Sequence, residues 1–294
     1  MIKDFEYSAP GTLDEALRLI SQYGEDCKII AGGQSLLLLM RQGLVDPPYL
    51  VDIKGISSLA YINISENGDL NIGALTTHRA IEVSREIQQK FSILSEMEQN
   101  IAAVENRNWG SIGGNLCHAD PAGDPSPVLI ALKARLKIAS VRGERTLAVE
   151  DFARDYFDAD LAHDEILTEI QVPCPAPRTG SKYTKFSLLE GDFALASVAM
   201  SITLNAKSDI CDDARIALGS VNSTTMRARE AEKVLIGKKI TDELLAEAGK
   251  IASEESDPID DIGASAEYRL ELVKVLVKRI GKEALSRAMG TQSS

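Results

Sequence analysis

Apolar residues recur at helical spacing at Leu13, Ala16, Leu17 and Ile20, directly behind Thr12-Leu13-Asp14-Glu15, which has the form of a capping box. A first helix over 13–23 is predicted, closed at Gly24. A short β-branched strand at Ile29 and Ile30 then meets a Gly32-Gly33 turn, an apolar helix opening at Leu36, and a strand over 49–53. These make a small βαβ-like lobe over residues 1–55.

A second lobe is expected over 56–176. Segments 61–64 and 70–72 flank Glu66-Asn67-Gly68-Asp69, a strong hairpin signal. Thr77 is placed to cap a helix over 78–84, and a longer helix is expected over 92–104. Ser126 and Pro127 read as the cap and first residue of a helix to 132. Segments 135–140 and 144–148 form a hairpin around Arg142-Gly143, and 166–172 reads as the last strand. Pro173, Pro175 and Pro177 mark a linker. Beyond it, 182–188, 194–204 and 214–219 pattern as strands of an antiparallel sheet, followed by helices over 227–235, 242–253 and 266–289, the last with a possible break at Gly281. Residues 290–294 should be loose. The pattern as a whole is α+β, and 294 residues suit two or three domains.

Two stretches carry candidate chemistry. KIIAGGQSLLLLM (28–40) places two glycines between a strand and a helix, where the backbone can take positive φ and a ligand can approach the main chain. Free N–H groups and the helix start there suit a phosphate, and no Lys or Arg occurs from 29 to 40, so an anion would be held by backbone dipoles. A plain turn that binds nothing explains the stretch equally well. The second stretch, NWGSIGGN (108–115), repeats the glycine pair with a hydroxyl before it and an amide after it. Together the two could clasp one extended ligand with a charged middle, such as a dinucleotide. Neither has the G-x-G-x-x-G or G-x-x-x-x-G-K-[ST] spacing, so Rossmann and P-loop folds lose support.

The net charge of −12 argues against a nucleic-acid partner. The four cysteines, Cys27, Cys117, Cys174 and Cys211, are scattered, without C-x-x-C or metal spacing, so no iron-sulfur cluster is expected on this chain. His78, His118 and His163 are separated from one another and read as capping or loop residues. Trp109 reads as packing, with an aromatic beside an adenine as the alternative. The first ten residues lack the apolar region of a secretory signal, and no run approaches a membrane span, so a cytoplasmic location is expected.

AGGQS (31–35) and SIGGN (111–115), with ALTTH (74–78), HADPAGDPSP (118–127), EILTEI (165–170) and KYTKFSLLEGDFALASVA (182–199), resemble the FAD-binding medium subunit of the molybdenum hydroxylases, the xanthine dehydrogenase and carbon monoxide dehydrogenase family. The likeness covers nearly the whole chain. It implies a two-lobed FAD-binding fold of the vanillyl-alcohol oxidase (PCMH) type over 1–176 and an α+β C-terminal domain over 177–294, with an antiparallel sheet and helices. It implies that Ile30, Ala31, Gly32, Gly33, Gln34, Ser35 and Leu36, with Ser111, Ile112, Gly113, Gly114 and Asn115, hold FAD, both glycine turns cradling its diphosphate. Asp124 matches the position that hydrogen-bonds the ribityl region; Lys185 is expected toward the pyrimidine edge of the ring and Phe193 close to a face, where relatives often carry Tyr. The implied partners are a small subunit with two [2Fe-2S] clusters, a large molybdopterin subunit and an external electron acceptor. No catalytic side chain and no metal site are assigned to this chain. A stand-alone flavoenzyme of the same fold and a non-redox nucleotide-binding module are the competing readings.

Overall fold

The computed structural model describes residues 2–290. Strands β1 (Glu6–Ser8), β2 (Cys27–Ile30) and β3 (Tyr49–Asp52) form a parallel sheet in the order β1-β3-β2. Helix α1 (Leu13–Tyr23) buries Ala16, Leu17 and Ile20 against Val51 and Ile53. Its capping box is formed: Thr12 Oγ1 accepts from Glu15 N at 3.2 Å, and the Glu15 carboxylate accepts from Gly11 N at 2.9 Å. Helix α2 (Leu36–Gln42) returns the chain to β3 and stops at Gly43, whose φ of 72° is left-handed.

The second lobe is built on the five-stranded antiparallel sheet β4-β5-β10-β6-β7. Its strands are β4 (Ile62–Ile64), β5 (Leu70–Gly73), β6 (Arg135–Ser140), β7 (Gly143–Ala148) and β10 (Glu165–Val172). A small hairpin, β8 (Ala153–Asp155) and β9 (Asp158–Ala159), precedes β10 and was not expected from sequence; nor was β1. Helices α3 (His78–Val83), α4 (Arg85–Lys90), α5 (Ser92–Glu98), α6 (Val104–Trp109), α7 (Ile112–His118) and α8 (Pro125–Ala131) lie between β5 and β6, and the core joins sheet residues such as Ile72 and Leu136 to Ile81, Leu94, Met97 and Leu129.

Three sequence expectations fail in this lobe for identifiable reasons. The helix expected over 92–104 ends at Glu98, and α6 starts anew at Val104. Between them Ala102 takes φ 40°, held by the Arg107 guanidinium, which donates to the carbonyls of Ile101 (2.8 Å) and Ala102 (3.0 Å). SIGGN is not a turn: Ser111 caps α7, and Gly113 and Gly114 lie in its first turn. Helix α8 starts at Pro125 rather than Pro127, with Asp124 before it and no cap from Ser126.

The remaining chain forms the antiparallel sheet β11 (Thr179–Phe186), β12 (Ala196–Leu204), β13 (Cys211–Gly219) and β14 (Met226–Arg227), in that order. Helices α9 (Arg229–Leu235), α10 (Asp242–Glu254) and α11 (Ala266–Ala288) share a core with it. Helix α11 runs unbroken through Gly281. A Cβ there would lie 2.4 Å from Leu245 Cδ2, and one on Gly249 would lie 2.7 Å from Lys274 O, so both glycines serve close packing of α10 on α11. Apart from Gly290, the tail expected to be loose lies outside the described residues.

The two halves of the chain are tied together at several points. Tyr183, Ala199 and Ala217 belong to the hydrophobic core of the second lobe. Glu96 on α5 receives Lys182 Nζ at 2.9 Å and Arg287 Nη1 at 2.8 Å, and Ser220 N donates to Pro121 O at 2.8 Å.

Candidate functional site

The glycine-bearing segments, 77 positions apart in sequence (Gly33 to Gly110), meet in space. A Cβ on Gly32 would sit 2.2 Å from Trp109 O and 2.7 Å from Gly110 Cα, so only glycine allows this contact. Gly33 has φ +69°, a conformation that strains any other residue. Gln34 locks the junction from its other side: its Nε2 donates to Gly32 O at 3.0 Å, and its Oε1 accepts from Asn106 Nδ2 at 3.0 Å. Ile30 anchors the segment, its carbonyl accepting from Ile53 N at 3.0 Å, and Ala31 leads from the strand into the bend.

The hydrogen-bond accounting of the two segments is unequal. Among the described residues, the amides of Gly33, Gln34, Ser35 and Leu36 meet no protein acceptor. The start of α2 leaves these N–H groups without intrahelical partners, and four consecutive free donors there suit an anion or a polar ligand. The second segment differs. Ile112 N donates to Thr76 O (3.0 Å), Gly113 N to Ala74 O (2.9 Å), Gly114 N to Ser111 Oγ (3.2 Å) and Asn115 N to Ser111 O (3.0 Å). The expectation that both bends present main-chain donors is therefore corrected: the second offers side-chain groups of Ser111 and Asn115 and an open surface at Gly114. Gly113 is required for packing, since a Cβ there would lie 2.6 Å from Ala74 O.

A buried set of charged groups joins the loop before α8 to β11. Lys185 Nζ on β11 is 3.0 Å from Asp124 Oδ2, and the Tyr183 hydroxyl donates to Asp124 Oδ1. Burial pushes the Asp124 carboxyl up, while Lys185 and the Tyr183 hydroxyl hold it down. Burial and the neighbouring Asp124 raise the Tyr183 phenol well above its ordinary value. Strand periodicity places Tyr183 and Lys185 on one face of β11, so Tyr183 was within reach of sequence reasoning yet was missed. The resemblance placed Lys185 toward a flavin ring edge; in the structure its Nζ pairs with Asp124, tying β11 to the loop before α8.

Two further groups were missed. His78 Nδ1 lies 2.8 Å from Glu98 Oε2, both side chains are buried, and Glu98 Oε1 has no partner. His78 is thus more than the loop or capping residue it appeared to be from sequence. Its backbone N–H donates to Gly110 O at 3.0 Å, and its Cδ2 is 3.2 Å from where a Cβ on Gly110 would stand. Burial raises the Glu98 carboxyl, against the pull of His78. Twenty positions separate the pair on two different helices, so no local pattern announces it. Trp109 is not packed as expected: it is 64% exposed, and its carbonyl, not its ring, meets Gly32. Phe193 also stands out on the β11–β12 loop, 71% exposed beside the exposed Leu188 and Leu189. That loop touches the second lobe through Gly191, where a Cβ would be 3.1 Å from Ala102 O.

A row of unpaired main-chain donors next to a second glycine-bearing segment suits a dinucleotide with an anionic diphosphate. The comparisons name that ligand. Residues 3–175 match the family model described as the FAD binding domain in molybdopterin dehydrogenase, and 181–284 match the CO dehydrogenase flavoprotein C-terminal domain. The chain belongs to this family: it is a FAD-binding medium subunit of the molybdenum hydroxylases, and hence a flavoprotein oxidoreductase subunit. It is 36% identical over 290 residues to the 6-hydroxypseudooxynicotine dehydrogenase complex subunit alpha of Paenarthrobacter nicotinovorans, covering 99% of this chain and 97% of that one. It is 33% identical to the carbon monoxide dehydrogenase medium chain of Afipia carboxidovorans, covering 97% and 98%. Among solved structures, carbon monoxide dehydrogenase from Hydrogenophaga pseudoflava superposes with a TM-score of 0.94 at 33% identity, covering 98% of this chain and 99% of that one. The fold is therefore the two-lobed FAD-binding fold followed by the α+β C-terminal domain. Among the described residues no helix is long and apolar enough to cross a membrane, and no group of His, Cys, Asp and Glu has the makings of a metal site.

Proposed function

We propose that this chain carries electrons, through its FAD, from the [2Fe-2S] clusters of a small partner subunit to an external acceptor, while a large molybdopterin subunit oxidises the substrate. The medium-chain and complex-subunit names of its relatives support that division of labour. Residues 1–176 form the FAD-binding domain, in lobes 1–55 and 56–176, and residues 177–294 the C-terminal domain of a cytoplasmic protein. FAD supplies the redox chemistry when bound.

The chain's own residues bind, orient and tune. The amides of Gly33, Gln34, Ser35 and Leu36 take the diphosphate, with Ser111 and Asn115 across from them. Asp124 receives the ribityl hydroxyls on the strength of its buried carboxylate, and Lys185 neutralises Asp124 and sets the local field. Ile30, Ala31, Ile112, Gly113 and Gly114 shape the walls, and Phe193 borders the ring from the second domain. The observation that carries this reading is the row of four amides at 33–36 without protein acceptors, directly after the contact of Gly32 with Trp109–Gly110, in a chain of this family.

The test is purification of the chain alone and with its partners. One FAD per chain, reduced by substrate only when the iron-sulfur and molybdopterin subunits are added, is the expected result. Direct reduction of the isolated chain's flavin by a small organic substrate contradicts it, as does a colourless chain that takes up no FAD.

A further inference from the structure

The first turn of α11 holds both ends of the loop that joins β11 to β12. At the start of that loop the Tyr268 ring meets the Phe186 ring edge-on, with centroids 6.2 Å apart. At its end the buried Arg269 guanidinium donates through Nη1 to Leu195 O at 2.5 Å. Leu195 N donates to Phe186 O at 2.7 Å, which pinches the two ends together. Between them Leu188, Leu189 and Phe193 are exposed, and Gly191 rests against Ala102 of the second lobe. The same guanidinium reaches a second segment. Nη1 also donates to Ser220 O at 3.2 Å, and Ser220 N donates to Pro121 O at 2.8 Å, just ahead of Asp124. One side chain of the last helix is therefore bonded to the loop carrying Phe193 and, through Ser220, to the loop carrying Asp124.

Stability alone explains Arg269 poorly. Its charge is buried and is met by one carboxylate, that of Asp261, at 2.6 Å. Asp261 is half-exposed and is also held by the amides of Gly263 (2.8 Å) and Ala264 (3.0 Å). Arg269 Nε has no partner among the described residues. Burial of a charge so incompletely matched offsets what its ion pair contributes, and replacing such a charge by an apolar side chain of similar volume is often neutral. An apolar side chain could not hold two carbonyls from separate segments in a fixed relation, as the planar guanidinium does. We infer that Arg269 is a positioning residue for the flavin: it sets the Phe193 loop and the Asp124 loop in register at the isoalloxazine and ribityl end. Its hydrogen bonds go to Leu195, Ser220 and Asp261, none of them in the diphosphate cradle at 33–36. This inference rests on the reading that those two loops border the ring and the ribityl chain.

The test is a pair of titrations of the full chain freed of flavin, one with FAD and one with ADP, which has the diphosphate and lacks the ring and the ribityl chain. Arg269→Met is expected to weaken FAD binding by about tenfold and ADP binding by less than about twofold. Visible circular dichroism of the flavin that stays bound should fall, since the ring is no longer held in one orientation. Combining Arg269→Met with Phe193→Ala should weaken FAD binding by less than the product of the two single effects, because both act through one loop. Equal losses for FAD and ADP, no loss for FAD, an unchanged dichroism or effects that multiply overturn the proposal. Should Arg269→Met fail to fold, Tyr268→Ala, at an exposed ring, decides by the same titrations, with FAD binding expected to weaken by about threefold and ADP binding to hold. An unaltered chain that binds neither nucleotide overturns the FAD assignment itself. One that binds both, with variants that show no selective loss of FAD, overturns only the positioning role.

Discussion

Lys185 Nζ lies 3.0 Å from Asp124 Oδ2, in a pair so enclosed that neither side chain is more than 8% exposed. One partner comes from the first strand of the C-terminal sheet and the other from the loop before α8, so the bond joins two halves of the chain at the proposed cofactor site. Removing one member leaves the other charge buried and unmatched, which costs about 3 kcal/mol. Lys185→Met should lower unfolding stability by roughly that amount. The double variant Lys185→Met with Asp124→Asn should recover part of the loss in urea denaturation. A single-variant cost near zero would show that the pair does not hold the halves together.

The same pair sets opposite expectations for the flavin potential. Charge on a reduced flavin is favoured by a nearby cation and opposed by a nearby anion. Asp124→Asn, which frees Lys185 from its counter-charge, should raise the midpoint potential, and Lys185→Met should lower it. The shifts are expected on the order of 30 mV each, equivalent to about 1.4 kcal/mol for two electrons. Spectroelectrochemical titration reads them, and shifts of the same sign in both variants contradict the account.

Gly32 and Gly114 should respond unequally to alanine. A Cβ on Gly32 collides with Trp109 O at 2.2 Å, whereas one on Gly114 meets only Ser111 Oγ at 3.0 Å. Gly32→Ala is expected to force the two segments apart and abolish flavin retention. Gly114→Ala should retain the fold and weaken retention by about tenfold, roughly 1.4 kcal/mol. The ratio of flavin to protein absorbance after gel filtration distinguishes them, and equal flavin content in both variants contradicts the geometry.

Glu96 gives a pH dependence of definite sign. Burial alone would raise its carboxyl, but hydrogen bonds from Arg287 and Lys182 outweigh burial and hold it below the ordinary value. A depressed carboxyl adds stability that is fully present above the unfolded-state pKa and is lost as pH falls through the folded-state value. The contact between α5 and the C-terminal half should therefore weaken by about 1 kcal/mol below roughly pH 4. Thermal melts of the unaltered chain and Glu96→Gln should converge as pH is lowered. A gap between them that stays constant as pH falls below the ordinary carboxyl value, instead of narrowing, removes Glu96 from this role.

What could be read from sequence was what local chemistry decides. The Thr12–Glu15 box, the Glu66–Asp69 hairpin turn and the helix opening at Leu36 are set by neighbouring residues, and the structure has all three. Local reasoning failed where distant contacts decide. Glycine is a poor helix former, so SIGGN read as a turn; it forms the first turn of α7 because Ser111 caps it and Gly113 packs on Ala74. The break after Glu98 depends on Arg107 reaching back to Ile101 and Ala102, and Gly281 stays helical because Leu245 packs on it. The glycine segments of the site were legible as motifs. The Lys185–Asp124 and His78–Glu98 pairs were not, because each joins elements that only the fold brings together.

Amide hydrogen exchange on the flavin-free chain, with and without FAD, tests the central claim most directly. Binding should slow exchange at Gly33, Gln34, Ser35 and Leu36, whose amides lack protein acceptors, and should leave Ile112 and Gly113, already bonded to Thr76 and Ala74, nearly unchanged. Protection that falls elsewhere, with the amides of 33–36 exchanging as fast in the complex as in the free chain, would contradict the assignment of that segment to the diphosphate.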